Sequence, residues 1–149
     1  MDYKLLCEQL QSLCEGVDNT VSKLSNAAAL LWYSLGDINW AGFYLFENGE
    51  LNVGPFQGKP ACAKIALGKG VCGTAAAENR IITVDDVHKF KGHIACDGAS
   101  NSEIVIPISR NGELFGVLDI DSPIFSRFGK EDSTGLSEFV KVLEKELGF

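Results

Sequence analysis

The 149-residue chain predicts an α+β domain built on an antiparallel sheet. Three observations carry that expectation. Apolar residues recur at helical spacing near both ends of the chain and in one short insert. The middle is made of short strand-like runs. Two Asn-Gly pairs, Asn48-Gly49 and Asn111-Gly112, separate such runs, and Asn-Gly between apolar runs is a strong hairpin signal.

Residues 3–15 place Leu6, Leu10 and Leu13 at helical spacing together with Cys7 and Cys14, which read as packing residues. Asp18 or Asn19 caps a second helix through about residue 35, with Val21, Leu24, Ala28, Leu31 and Leu35 on one face and Gly36 as terminator. Trp40 to Phe46 then reads as a strand. Asn48-Gly49 turns it back into Glu50–Phe56. Cys62–Leu67 is a short third strand, Val71–Glu78 a helix after Gly70, and Ile81–Val84 a short apolar strand. Glu103–Ser109 and Leu114–Asp121 form a second hairpin. The last helix starts near Lys130 and carries Leu136, Phe139, Val140, Leu143 and Leu147 as one apolar stripe. Helices should cover at least one face of the sheet.

The length and the absence of linkers and repeats predict a single domain over residues 1–149 with one sizeable core. The 46% hydrophobic and 22% charged composition is that of a globular protein. A net charge of −7 with no basic run argues against nucleic acid, because phosphate binding needs clustered Lys and Arg. No apolar stretch is long enough to span a bilayer. The N-terminus lacks a basic segment followed by a long apolar one, so the expected location is the cytoplasm. The cysteine count of 5 is odd, which argues against a static disulfide framework. No Cys-x-x-Cys occurs, which argues against a zinc ribbon.

Cys96 is the residue around which chemistry is expected. Gly92 to Glu103 fits neither a strand nor a helix period and embeds a thiol among polar groups. A long polar loop inside a compact domain is usually functional or disordered, and the apolar strand that follows favours function. Cys62 and Cys72 flank the glycine-rich segment between them. A thiolate that attacks an oxidised centre becomes a sulfenic acid, and a neighbouring thiol condenses with it to a disulfide. The bland alternative is three small buried side chains.

Asp119 and Asp121 are two apart on a strand, so both carboxylates project to one face. Glu103 opens the other strand of that hairpin and can join them. Nearby like charges need a cation or a shared proton, and a ligand ammonium or an acid catalyst satisfies that need. The alternative is a solvated strand end. Trp40 and Tyr44 share a strand face with the same spacing logic and either wall a small apolar pocket or pack the sheet.

Two further patterns point elsewhere. Gly68-Lys69-Gly70-Val71-Cys72-Gly73 matches G-x-G-x-x-G, but a dinucleotide site also needs a βαβ unit, and hairpins follow instead. Those glycines are expected to permit a tight turn into the helix. His88, His93 and Cys96 are permissible zinc ligands of a metal-dependent hydrolase, yet no helical His pair or second cysteine pair supports that. No metal or other cofactor is expected.

Taken together, Trp40-Ala41-Gly42-Phe43-Tyr44, Gly70 to Ala75, Asp86-Val87-His88, Gly92 to Glu103 and Gly116 to Ser122 resemble the free methionine-(R)-sulfoxide reductase family, a catalytic branch of the GAF fold. The resemblance implies a central antiparallel sheet with N- and C-terminal helices on one face and a short helix with loops on the other. It implies reduction of free L-methionine-(R)-sulfoxide, with Cys96 at the catalytic position and Cys62 and Cys72 at recycling positions. Glu103, Asp119, Asp121, Trp40 and Tyr44 fall at substrate-binding positions. Thioredoxin as reductant and a homodimer are implied in the same way. Which of Cys62 and Cys72 meets Cys96 stays open, as does which carboxyl is the acid. The competing reading is a non-catalytic GAF module that binds a small effector.

Overall fold

The structure is a computed structural model and describes residues 1–94, 96 and 98–149. The first helix, α1, spans Tyr3–Cys14, and the Asp2 carboxylate caps it by accepting the Leu5 N–H at 3.0 Å. Of the two candidate caps for the second helix, Asn19 serves: its Oδ1 accepts the Ser22 N–H at 2.9 Å. That helix, α2, spans Thr20–Ser34.

Two details of α2 differ from expectation. Its buried face is Leu24, Ala27, Ala28 and Leu31, while Val21 is 60% exposed. Ala27, outside the predicted face, is fully buried in the core instead. The residue that takes the left-handed conformation after the helix is Asp37, at φ 56°, not Gly36. Aspartate tolerates that region better than most side chains.

The sheet has six strands: β1 (Trp40–Glu47), β2 (Glu50–Gly58), β3 (Lys64–Ala66), β4 (Ile82–Val84), β5 (Ser102–Arg110) and β6 (Glu113–Ser122). Their order is β3-β2-β1-β6-β5-β4, and each pairing is antiparallel. Asn48 and Gly49 both have positive φ, as do Asn111 and Gly112, so both Asn-Gly pairs make the two-residue turns expected of them. The third strand is shorter than the sequence predicts. Lys64–Ala66 pairs with β2, which leaves Cys62 in the connection before the strand.

Alternation sorts the sheet into two faces. Ala41, Phe43, Ile104, Ile106, Ile108, Leu118 and Ile120 face α1, α2 and the last helix, α4 (Lys130–Glu146). Leu136, Phe139, Val140 and Leu143 of α4 are buried there, as the stripe predicts; Leu147 lies just past the helix end and is partly buried. Each fully buried Leu, Ile or Phe contributes about 1.5–3 kcal/mol, so this layer holds most of the apolar stabilisation. Tyr3 of α1 packs on Gly135 of α4, where a Cβ would overlap its ring, and donates its hydroxyl to Asp132 at 2.6 Å.

The opposite face carries Trp40, Tyr44, Val105 and Val117 and is covered by α3 (Gly70–Glu78) with Val84 and Val87. Gly68 and Gly70 both take positive φ at the entry to α3. A Cβ on Gly73 would collide with the Ala66 carbonyl oxygen. The glycine motif therefore serves a tight turn and close packing of α3 on β3, as expected. No helix among the described residues is long and apolar enough to cross a membrane.

Candidate functional site

Alternation also assembles the site. Residues 103, 119 and 121 have the parity of the α3-covered face, and the register sets Glu103 opposite Asp121 and Val105 opposite Asp119. In β1, Trp40 stands opposite Asp121 and Gly42 opposite Asp119. Trp40, Tyr44, Glu103, Asp119 and Asp121 thus line one cavity, whose far wall is the start of α3 with Lys69, Val71 and Cys72. Ser100, His93, Ile94 and Cys96 come in from the loop that joins the Val87–Lys89 turn to β5.

Cys96 is half-buried and joined by a disulfide to Cys62, with Cα atoms 5.6 Å apart. Cys72 is buried, remains a free thiol, and donates to Glu103 Oε2 at 3.8 Å. Of the three cysteines expected to work together, two are joined and the third lies against the carboxylates. Cys7 and Cys14 sit on α1 in the other apolar layer, as packing residues do.

The loop is pinned at its base. Val87 N–H donates to the Asn101 carbonyl at 2.9 Å and Asn101 N–H to the Ser122 carbonyl at 2.8 Å. The Asn101 amide nitrogen donates to the Pro123 carbonyl at 2.7 Å. Its Oδ1 is therefore the acceptor, and His88 Nε2, 2.9 Å away, is the donor. Within the loop Cys96 N–H reaches the Ile94 carbonyl at 3.1 Å, and the Ile94 side chain packs on Gly70. Ala95 and Asp97 of the same loop lie outside the described residues.

Burial sets the electrostatics. Glu103 and Asp119 are 7% and 5% exposed. Loss of solvation, with Asp119 and Asp121 adding like charge, holds Glu103 well above the usual carboxyl range. Burial also raises Asp119, against hydrogen bonds that favour its charged form. Asp119 Oδ1 is buried with no hydrogen-bond partner among the described residues. Cys72 is pushed well above the ordinary thiol value by burial and then by the carboxylates. Tyr44 is raised by the same causes, and its hydroxyl donates to the Cys62 carbonyl at 3.0 Å. His93 is lowered by burial and by the neighbouring charge of His88.

The apolar wall is a stack. Trp40 lies 5.0 Å from Phe56 and 5.7 Å from Tyr44 between ring centroids, and its indole N–H donates to the Lys59 carbonyl at 3.1 Å. The zinc alternative is not assembled: His88 Nε2 is engaged by Asn101, and the Cys96 sulfur is in the disulfide.

The GAF domain family model matches residues 9–147. The free methionine-R-sulfoxide reductase of Escherichia coli (strain K12) is 52% identical over 145 residues, which cover 97% of this chain and 88% of that one. This chain belongs to the free methionine-R-sulfoxide reductase family. Solved structures agree. The fRMsr of Staphylococcus aureus in its reduced form superposes with a TM-score of 0.95 at 54% identity, covering 98% of this chain and 95% of that one. The same protein in complex with substrate gives 0.93 at 53% identity, with coverage of 98% and 95%.

Within this reductase fold the structure adds residues that the sequence pattern does not single out. Phe56 is one. Counting back from the Asn48-Gly49 turn sets Phe56 opposite Ala41, on the helix-covered face. An irregularity between Gly42 and Tyr44 shifts the register so that Phe56 stands opposite Gly42, which turns its ring onto Trp40. Lys69 is another, placed on the cavity wall by the turn into α3. Ser100, which accepts from the Asn39 amide at 3.1 Å, is the third.

Proposed function

We propose that this chain reduces free L-methionine-(R)-sulfoxide to methionine at Cys96, as the names of its relatives indicate for them. The observation that carries the reading is the Cys62–Cys96 disulfide at a cavity that also holds three carboxyl side chains and an aromatic wall. The Cys96 thiolate attacks the sulfoxide sulfur. Oxygen leaves the substrate for Cys96, the sulfoxide is reduced to the thioether, and Cys96 becomes a sulfenic acid. The Cys62 thiol then attacks that sulfur, which forms the disulfide and releases water. Thioredoxin supplies two electrons as a dithiol to restore both thiols.

Glu103 is the acid that protonates the sulfoxide oxygen, because its buried position favours the neutral carboxyl. Asp119 and Asp121 receive the substrate ammonium, and Trp40 and Tyr44 enclose the S-methyl group, with Phe56 stacked on Trp40. A peptide-linked methionine lacks that ammonium, which accounts for selection of the free amino acid. Cys72 has no obligatory part in this cycle. The odd count of cysteines and the need for thioredoxin fit a cytoplasmic enzyme, in which residues 1–149 act as one catalytic domain. Exposed Trp32 and Tyr33 on α2 give an apolar surface for the homodimer that the family resemblance implies.

The test is Cys96→Ser assayed on free methionine sulfoxide. Loss of turnover in a folded protein is expected; retained turnover would remove Cys96 from the chemistry.

A further inference from the structure

Cys72 is a buried thiol that the proposed cycle leaves without a task. Its Sγ and one carboxylate oxygen each from Glu103 and Asp119 lie within 4.8 Å of one another. The Cys72 Sγ to Glu103 Oε2 distance is 3.8 Å. Zinc bonds of about 2.3 Å to sulfur and 2.0–2.2 Å to carboxylate oxygen put two such ligands of a tetrahedral ion roughly 3.5 Å apart. Small rotamer shifts close that gap. All three residues are buried, so the atoms are already held by packing.

A second, independent observation points to a cation. Asp119 is 5% exposed and lines the cavity, and its Oδ1 has no hydrogen-bond partner among the described residues. A buried acceptor left without a donor costs about 1–3 kcal/mol. A positive ligand relieves that cost. An ammonium does so through oxygen alone. A thiophilic divalent ion does so and also uses the sulfur, which an ammonium cannot.

We propose that Cys72, Glu103 and Asp119 form a site for one thiophilic divalent cation, zinc or cadmium, that displaces the substrate ammonium and inhibits the enzyme reversibly. Cys72 coordinates as the thiolate and Glu103 as the carboxylate, and the proton of each is lost to solvent as the cation binds. The two carboxylates complete a three-ligand set, and the fourth position opens to the cavity, as in sites that keep a water or substrate ligand. The inhibitory half of the proposal rests on the assignment of the substrate ammonium to these carboxylates; the metal site itself does not.

The experiment uses the protein in its Cys62–Cys96 disulfide form, in which those two sulfurs are unavailable. Cadmium alone is titrated in, and the near-ultraviolet sulfur-to-cadmium charge-transfer band is followed. One equivalent per chain is expected, and a Cys7→Ser, Cys14→Ser double variant should keep the band. Cys72→Ser should abolish it. Asp119→Asn should weaken binding by more than about tenfold, since even an outer partner of a metal ligand is worth that much. A band that survives Cys72→Ser, or fails to form in the disulfide form, would overturn the site. Zinc is then tested against the reduced enzyme and its Cys72→Ser variant; it should raise KM for the free sulfoxide without lowering kcat in the parent, and the variant, which keeps Cys62 and Cys96, should lose that effect. Cadmium binding at Cys72 without that competition would leave the metal site standing and overturn both the inhibition and the ammonium assignment.

Discussion

Cys62 and Cys96 are joined across 34 positions of sequence, from the connection before β3 to the loop before β5, while Cys72 stays free. The bond ties the loop that carries Cys96 to the segment whose backbone accepts the Tyr44 hydroxyl. It also separates two residues that the sequence pattern treats alike.

Their substitutions should therefore behave differently. Cys62→Ser should still release one methionine per chain in a single turnover, then stall as the sulfenic acid. Its steady-state rate with thioredoxin should fall by about two orders of magnitude or more, because a catalytic step is removed. Cys72→Ser should stay within about tenfold of the parent. Rapid-quench and coupled assays on both variants check this, and equal steady-state losses would contradict the assigned order.

Asp119 should matter for binding more than for chemistry. A hydrogen bond to a charged group is worth about 1.5–3 kcal/mol, so Asp119→Asn should raise KM for the free amino acid roughly ten- to a hundredfold with a smaller change in kcat. Steady-state kinetics on the variant give the split. An unchanged KM would remove Asp119 from the ammonium site.

The raised carboxyls also set a pH dependence of stability. Between the ordinary carboxyl range and its elevated folded value, Glu103 is protonated in the folded chain and ionised in the unfolded one. The folded state then holds more protons, so stability falls as pH rises through that window and levels off above the folded value. Asp119 adds in the same sense. Thermal melts of the ligand-free protein should show this fall, and Glu103→Gln should be more stable than the parent at the alkaline end, with a shallower slope. His93 contributes to both proteins and cancels in the difference. A parallel pair of curves would contradict the buried, neutral Glu103.

Gly73 tests the glycine motif as packing. An added methyl must push α3 away from the Ala66 carbonyl. Overpacking of this kind costs about 1–3 kcal/mol, which lowers the melting temperature by roughly 2–4 °C per kcal/mol in a chain of this size. Differential scanning calorimetry of Gly73→Ala reads it, and an unchanged melting point would contradict the close approach.

Much of this was legible in residue order because two rules act locally. Asn-Gly turns specify hairpins, and strand alternation then sorts side chains onto faces. Asp119 and Asp121 could be placed on one face, and Glu103 near them, before any coordinates. The aromatic stack was only half legible. Phe56 depends on a one-residue irregularity in β1–β2 pairing in which Gly54 and Pro55 together face Phe43; that Gly-Pro pair marks a bulge, but only the paired strands show that it turns the Phe56 ring onto Trp40. The partner of Cys96 was not legible either. Cys62 and Cys72 are both close in sequence to the same turn, and only the packing of α3 against the sheet directs one thiol to the loop and the other to the carboxylates. The exposed Val21 shows the same limit, since helical spacing alone does not say how wide the buried stripe is.

The most direct test of the central claim is a thioredoxin-coupled assay of NADPH oxidation with four substrates: the separated R and S sulfoxides of methionine, each as the free amino acid and within a peptide. Turnover of the free R sulfoxide alone is expected, with the Cys62–Cys96 bond as the oxidised product. Comparable turnover of the peptide-bound R form would contradict the ammonium-based selection. No turnover of any of the four, with all thiols retained, would mark the chain as a binding module rather than an enzyme.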